Sequence, residues 1–199
     1  PIKEEYLLTN ELENTNEMYA IAKIAGLKMC KAYNSQFKTD FRAVMPTNLY
    51  GQNDNYDSLN SHVIAALIKK IVLAKKQNKK SLIVWGTGKP KREFLHVDDL
   101  ADATIKIMNL SKSKYIRIAG EKFPFINIGS GSDISIKDLA KKISKIVGFN
   151  GKMIFDKSKP DGTFQKLMDN TKLKKIKWKP KISLNSGIKK TIEDFKTII

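Results

Sequence analysis

The sequence predicts an α/β fold, because short apolar segments alternate with longer amphipathic segments along most of the chain. Helices are predicted over residues 16–35, 62–76 and 135–147 and from residue 184 onward, where apolar residues recur at helical spacing. Strands are predicted at residues 41–45, 82–85, 125–128 and 153–155. No internal repeat or low-complexity linker interrupts this alternation.

Local signals support the individual elements. The first helix is rich in Ala, Leu, Met and Lys, which are good helix formers, and Pro46 stops the strand that follows it. His96 precedes Val-Asp-Asp-Leu, whose paired aspartates would complement the N-terminal dipole of a helix. Ser135 with Asp138 three residues later has the spacing of a capping box.

Length and composition bound the class of protein. With 199 residues, of which 41% are hydrophobic, the chain can bury a sizeable core. No run of about 18 apolar residues and no secretory signal pattern is present, so we expect a cytoplasmic protein that does not enter a membrane. The single cysteine, Cys30, has no second thiol for a disulfide or a zinc site, and we expect it to pack in the core. We expect no metal site.

The formal net charge of +17 raises the question of nucleic acid binding. Most of the basic residues are lysines spread over nearly every segment, so the sequence shows no shaped basic stripe. We therefore expect no nucleic acid partner, although a positive field would favour a small phosphorylated ligand.

Tyr19 and Lys23 lie four residues apart on the first predicted helix, so both project from one face. A free phenol ionises only near pH 10, about three units above neutrality, but an adjacent ammonium stabilises the phenolate and makes the hydroxyl a better proton donor at neutral pH. Tyr19 could then protonate a substrate carbonyl oxygen, and Lys23 could also bind ribose hydroxyls. Taken alone, this pair is also compatible with two ordinary surface residues.

The surrounding motifs narrow the interpretation. They are the Asn-Glu-Met-Tyr-Ala-Ile-Ala-Lys helix, the Met-Pro-Thr-Asn-Leu-Tyr-Gly segment at 45–51, Asn-Ser-His-Val at 60–63 and Ser-Lys-Pro-Asp-Gly-Thr at 158–163. Together they resemble the extended short-chain dehydrogenase/reductase superfamily, and within it the GDP-L-fucose synthases. The resemblance runs almost from end to end.

That resemblance implies an NADP(H)-dependent enzyme that epimerises GDP-4-keto-6-deoxy-D-mannose at C3 and C5 and reduces it at C4 to GDP-L-fucose. By the same resemblance, Tyr19 donates the proton to the C4 oxygen, Lys23 is its partner, and His62 is the epimerisation acid. It also implies a homodimer formed through the Tyr/Lys helix and its neighbour. Without the resemblance, His62 could equally cap a helix or lie on a polar surface.

The resemblance also assigns binding residues. Cofactor contacts are implied for Tyr19, Lys23, Pro46, Thr47, Asn48, Leu49 and His62. Contacts with the GDP part of the substrate are implied for Lys70, Trp85, Arg92 and Asp161. The alternatives for these four are a solvated lysine, a core tryptophan, an ion pair of Arg92 with Glu93, and a turn aspartate. His96 is interpreted as a packing or capping residue.

The dinucleotide fingerprint of a strand, a glycine-rich turn and a helix is not found in the sequence. Ile134 stands where the third glycine would follow Gly129 and Gly131, and Gly86-Thr-Gly88 runs into Lys-Pro-Lys. We therefore expect a C-terminal portion of a longer protein that lacks on the order of 100 residues of the cofactor-binding half. Residues 1–50 would end the dinucleotide-binding domain, and residues 51–199 would be mainly the substrate-binding domain, with some segments returning to the Rossmann sheet.

Two other functions are compatible with the sequence. One is another sugar-nucleotide epimerase or dehydratase of the same superfamily, which would recycle its cofactor. The other is a non-enzymatic basic binding module, which the charge and the missing fingerprint would suit. The Asn-Ser-His context favours the fucose synthase hypothesis.

Overall fold

The computed structural model describes residues 1–57, 61–122 and 124–199, so Asn60 of the Asn-Ser-His motif lies outside the described residues. These ranges contain seven α-helices and eight β-strands. The helices are α1 (Glu17–Phe37), α2 (Val63–Lys76), α3 (Val97–Met108), α4 (Lys112–Ala119), α5 (Ile136–Val147), α6 (Thr171–Lys175) and α7 (Leu184–Ile198). The strands are β1 (Ala43–Pro46), β2 (Asn48–Tyr50), β3 (Ser81–Trp85), β4 (Lys91–His96), β5 (Phe125–Ile128), β6 (Asp133–Ser135), β7 (Lys152–Asp156) and β8 (Gln165–Lys166).

Most strand pairs are parallel. β1 pairs with β5, β2 with β4, β3 with β7, and the short β8 also with β4, whereas β4 and β6 are antiparallel. At Thr47 the chain passes from pairing with β5 to pairing with β4. The Thr47 N–H donates to the Ile128 carbonyl at 2.9 Å. Residues 48–50, predicted as part of a loop, therefore form a strand of a different sheet from β1.

Two large hydrophobic clusters hold the chain together. The first is centred on α2, α5 and α7 with the strands β3 and β7 beside them, and includes the fully buried Ile68, Ile143 and Ile188. The second joins α3, α4, α6 and β5 around Ile107 and Ile126. Burying one such side chain stabilises the folded state by roughly 1.5–3 kcal/mol. The clusters therefore hold in place the strands whose ends carry the functional loops.

Helix caps follow the sequence signals. The Ser135 hydroxyl accepts the Asp138 N–H at 3.0 Å, which confirms the predicted cap of α5. Asp99 lies in the first turn of α3 as predicted, but it is buried and accepts the N–H groups of Lys181 and Ile182, both at 3.0 Å. This carboxylate therefore also fastens α3 to the segment before α7.

The prediction for Cys30 was wrong in one respect. Cys30 is only half-buried and, among the described residues, belongs to none of the hydrophobic clusters, because α1 buries only Leu27 against the rest of the chain. Within the described ranges, no helix is long and apolar enough to cross a membrane.

Candidate active site

A cavity of about 370 Å³, here called the Tyr19 pocket, brings together residues from distant parts of the sequence. The predicted site residues in its wall come from α1, from the β1–β2 segment and from the start of α2. They are Tyr19, Pro46, Thr47, Asn48, Leu49 and His62. The wall is completed by Ile2, Lys166 and Met168.

Tyr19 and Lys23 occupy one face of α1, as their spacing predicts. The Tyr19 side chain is 67% exposed, and the Lys23 ammonium lies 5.3 Å from the centre of its ring. Lys23 is not part of the pocket wall. The hydroxyl of Tyr19 can therefore face a ligand in the pocket while the ammonium stays beside the ring.

The β1–β2 segment is held rigidly against β4. The Thr47 hydroxyl and the Asn48 side-chain amide both donate to the carbonyl of Glu93, at 3.2 and 2.8 Å. The hydrogen bonds of these two side chains thus stabilise the fold. Pro46 and Leu49 present apolar surface to the pocket. A flat apolar ring would find a preformed wall there.

His62 stands at the N-cap position of α2, but its side chain makes no capping hydrogen bond. The imidazole is exposed and lines the Tyr19 pocket, so the capping alternative does not describe its role in the structure. Its charge acts on Asp54, a residue that the sequence analysis did not identify. Burial raises the pKa of the Asp54 carboxyl, partly opposed by the Asn55 N–H and the charge of His62.

A second cavity, of about 190 Å³ and here called the Trp85 pocket, contains three of the four residues assigned to the GDP part of a substrate. Trp85 is 62% exposed, which excludes the core alternative. The ammonium groups of Lys70 and Lys159 lie 5.0 and 5.6 Å from a Trp85 ring centre. Lys70 is thus beside the pocket without lining it. The wall consists of Val63, Trp85, Gly88, Pro90, Arg92, Ile136, Pro160, Asp161 and Gly162.

Arg92 does not pair with Glu93. Its guanidinium donates to the carbonyls of Thr163 and Lys91, at 2.5 and 2.8 Å, while Glu93 is buried on the opposite side of β4. Partial burial lowers the pKa of Arg92, and the charge of Asp161 opposes this shift. The ion-pair alternative for Arg92 was therefore wrong, and the guanidinium remains at the cavity wall.

Asp161 already has protein partners. Its carboxylate accepts the hydroxyl and the N–H of Thr87, at 2.5 and 2.8 Å, and these bonds lower its pKa. Gly86 beside it has φ +78°, and a Cβ there would clash with Asp161. In the structure Asp161 therefore acts as a loop-fastening carboxylate, as the turn-aspartate alternative predicts.

His96 has the structural role that the sequence predicts. It is the N-cap residue of α3, where its Nδ1 accepts the Asp98 N–H at 3.2 Å, and its ring packs edge-on against Tyr50 with the ring centres 5.4 Å apart. Burial lowers the pKa of the imidazole.

Three residues of the Tyr19 pocket were missed: Ile2, Lys166 and Met168. Ile2 and Met168 come together in an isolated bridge, with the Ile2 N–H donating to the Leu167 carbonyl at 2.7 Å. No local pattern signals that contact. Lys166 could have been suspected only from its place beside the Ser-Lys-Pro-Asp-Gly-Thr motif.

The comparisons with known proteins identify the family. Residues 1–119 match the model of the NAD dependent epimerase/dehydratase family. The chain is 49% identical over 195 residues to a GDP-L-fucose synthase of Escherichia coli, covering 98% of this chain and 61% of that protein. It is also 49% identical over 193 residues to GDP-L-fucose synthase 1 of Arabidopsis thaliana, covering 97% of this chain and 57% of that protein. The chain thus spans about 57–61% of the length of these curated relatives.

Solved structures show the same fold. A GDP-6-OMe-4-keto-L-xylo-heptose reductase from C. jejuni has a TM-score of 0.91 and 40% identity, over 100% of this chain and 66% of that one. A GDP-L-fucose synthetase from Naegleria fowleri bound to NADP has a TM-score of 0.86 and 29% identity, over 99% of this chain and 61% of that one. The predicted α/β Rossmann-like fold class is confirmed. The chain therefore belongs to the NAD-dependent epimerase/dehydratase family.

Proposed function

We propose that the protein carrying this chain converts GDP-4-keto-6-deoxy-D-mannose to GDP-L-fucose by 3,5-epimerisation and NADPH-dependent 4-reduction. The observation that carries the proposal is the Tyr19 pocket, where a phenol and an imidazole line one cavity. Reduction of a ketone needs a proton donor at oxygen, and epimerisation next to it needs a proton donor at carbon. The pocket offers one group of each kind.

The chain's residues fit the nicotinamide end of NADP(H). Pro46 and Leu49 supply an apolar wall, and Lys23 supplies ammonium donors for ribose hydroxyls beside Tyr19. When bound, the cofactor supplies the hydride for C4. Thr47, Asn48 and His62 complete the wall on that side of the pocket.

In the reduction step, Tyr19 holds the C4 oxygen by a hydrogen bond and gives it a proton. The Lys23 ammonium, 5.3 Å from the ring centre, stabilises the phenolate that remains. The Lys23 side chain therefore acts mainly on the charge of Tyr19 and on the position of the ribose.

In the epimerisation step, a base removes the proton at C3 or C5, each next to the ketone, and an enolate forms on the sugar. His62 then returns a proton to carbon from the other face. Imidazole suits this role because it both holds and releases a proton near neutral pH. Its freedom from capping bonds leaves the ring available to the ligand.

The Trp85 pocket is proposed to hold the GDP part. Trp85 offers an exposed flat surface for a base, and Arg92 and Lys70 offer positive charge for the diphosphate. Asp161 contributes by fixing the 86–88 loop, and a contact with sugar hydroxyls would add to its two bonds with Thr87.

Residues 1–50 are proposed to end the dinucleotide-binding domain and residues 51–199 to form mainly the substrate domain. The buried residues of the second hydrophobic cluster all lie after position 50, and Val44 and Leu49 pack against it, which supports the return of later segments to the first domain. A homodimer through α1 is proposed as well. Exposed apolar side chains on that helix, among them Met18, Met29 and Phe37, support it. The cytoplasm is the proposed location.

A second candidate is favoured by one observation, the close structural match to a C. jejuni reductase of a GDP-4-keto-heptose. Such a function would use Tyr19 and Lys23 for the same reduction step, and His62 would not need to deliver a proton to carbon.

One experiment separates the candidates. The complete protein is incubated with GDP-4-keto-6-deoxy-D-mannose and NADPH, and the product is identified by NMR. GDP-L-fucose is expected. A 6-deoxy product with unchanged C3 and C5 would show a plain 4-reductase, and lack of NADPH consumption would contradict the proposal.

A further inference from the structure

A basic groove, here called the α5–α7 groove, lies between helices α5 and α7. It is a cavity of about 590 Å³ whose wall consists of Lys141, Lys142, Lys145, Ile146, Asn185 and Lys189. None of these residues lines the Tyr19 pocket or the Trp85 pocket, so the groove is separate from the proposed active site. Ligand sites commonly have volumes of about 300–1,000 Å³, so the groove is large enough for a small molecule.

The four lysines of the groove have few negative partners. Among the described residues, its wall contains no carboxylate. The Lys141 ammonium lies 4.0 Å from Asp138, at the limit for an ion pair. Lys142, Lys145 and Lys189 form no ion pair within 4.0 Å in the described part of the chain. The groove therefore carries positive charge that its own wall does not balance.

Helix geometry keeps these like charges together. Lys145 comes four residues after Lys141 and three after Lys142, so the three side chains are neighbours on α5, and like charges at this spacing destabilise a helix. Lys189 of α7 adds a fourth charge to the wall. Water and salt would screen the charges of a fully exposed helix face. Lys142 is half-buried, so screening is weaker there and a bound anion would offset the repulsion.

The composition of the wall indicates the kind of anion. Lys141 and Lys145 lie about 6 Å apart along the helix axis, so the charges are distributed along the groove, which suits several linked phosphates better than a single one. Ile146 is the only apolar residue of the described wall, which leaves no flat apolar surface for a base. We propose that the α5–α7 groove binds a linear oligophosphate. The ammonium groups act as point charges for the phosphates, and the Asn185 amide is a further donor.

The test is calorimetric titration of the complete protein with tripolyphosphate at constant ionic strength, with NADP⁺ present to fill the cofactor site. Lys189→Met and Lys142→Met, one on each helix, should each weaken binding about 5-fold, and Lys189→Arg should retain most of the affinity. Lys190→Met is the matched control, because Lys190 is exposed on the same helix as Lys189 and does not line the groove. It removes the same charge and should change the affinity less than about 2-fold.

Equal weakening by Lys189→Met and Lys190→Met would overturn the site, because a general loss of charge would then explain both effects. Lys70→Met removes a charge beside the Trp85 pocket and should leave tripolyphosphate binding unchanged. A loss as large as that of Lys189→Met would place the anion at the proposed substrate site and would also overturn the proposal. Unfolding midpoints of all variants are measured in parallel, so that a loss of folded protein is recognised.

Two further ligands define the source of the anion. ATP carries the same triphosphate on a nucleoside, so binding of ATP tighter than that of tripolyphosphate would identify a nucleotide as the source, and equal or weaker binding an inorganic chain. A single-stranded oligonucleotide tests the other class of phosphate ligand. If it binds in a Lys189-dependent manner while tripolyphosphate does not bind, the groove is a nucleic acid surface and the proposal fails. The proposed function would be unaffected, since the groove shares no residue with either pocket.

Discussion

The buried carboxylate of Glu93 accepts the Gly131 N–H at 2.6 Å, so the glycine-rich loop after β5 closes around a protein anion. The other carboxylate oxygen accepts the Met168 N–H at 2.9 Å. Glu93 thereby joins β4 to the loop that resembles a phosphate-binding turn and to the segment that lines the Tyr19 pocket. The Gly131 N–H is therefore already bonded within the protein.

Glu93→Gln is expected to destabilise the fold. The carboxamide can accept at only one end, which leaves one buried backbone N–H facing another donor, at a cost of about 1–3 kcal/mol. Urea unfolding at neutral pH measures the change, with the exposed Glu193→Gln as the matched control. Equal midpoints for the two variants would contradict the role given to Glu93.

Tyr19→Phe in the complete protein is expected to retain GDP-sugar binding and to lose most reduction. The ring remains while the transferable proton is removed, and loss of general acid catalysis commonly costs about 10²–10⁴ in rate. The rate of reduction is measured as NADPH oxidation at saturating substrate. Tyr33→Phe on the same helix is the control, since that exposed ring lies outside the pocket wall. Turnover at the wild-type rate would remove Tyr19 from the mechanism.

His62→Asn should impair proton exchange at C3 and C5 more than reduction of an already epimerised ketone. Asn is a favoured N-cap residue, so α2 keeps its start, but the carboxamide cannot carry a proton near neutral pH. Deuterium incorporation at C3 and C5 in D₂O without NADPH reports the exchange directly. Incorporation at the wild-type rate would leave His62 without a role in epimerisation.

His96 makes stability depend on pH. Burial lowers its pKa, opposed by Asp98 and Asp99 and reinforced by Lys190. The unfolded chain therefore takes up a proton at higher pH than the folded chain, so the free energy of unfolding falls as pH drops below about 6.5. The loss continues until the lower folded-state pKa is reached.

His96→Asn keeps a capping acceptor on α3 and removes the titrating ring. Its absolute stability should be lower because the contact with Tyr50 is lost. Its stability should nevertheless decline less between pH 7.5 and pH 5, a window that runs from about one unit above the ordinary histidine pKa to about one and a half units below it. Urea unfolding at several pH values compares the two proteins. Parallel curves would mean that His96 does not titrate on unfolding.

The sequence predicts the long elements well because their signals are local. The helix α5 has strong helical periodicity, α1 and α2 are rich in good helix formers, and β1, β3, β5 and β7 are compact apolar runs. β4 was not predicted, since it contains Lys91, Arg92 and the fully buried Glu93, whose burial depends on partners far along the chain. The short helix α4 was also missed, because eight residues give little periodicity and the burial of Tyr115 and Ile118 depends on tertiary contacts.

For the site, motifs identified Tyr19, His62 and the β1–β2 residues that the structure brings into one cavity. The motifs could not show that Asp161 already binds Thr87, because that contact joins two loops 74 residues apart. Lys166 could not be identified from the sequence either, because the chain has 37 basic residues and nothing in the local pattern distinguishes this lysine from the others.

The Ile2–Met168 bridge also makes the Tyr19 pocket depend on a long-range contact. The wall of the Tyr19 pocket needs residues 2, 19, 49, 62, 166 and 168 at once, so a chain emerging from the ribosome has no such pocket until residue 168 is available. Closing a loop of that span has an entropic cost that local contacts do not recover. We therefore expect ligand affinity to arise only after this long-range contact has formed.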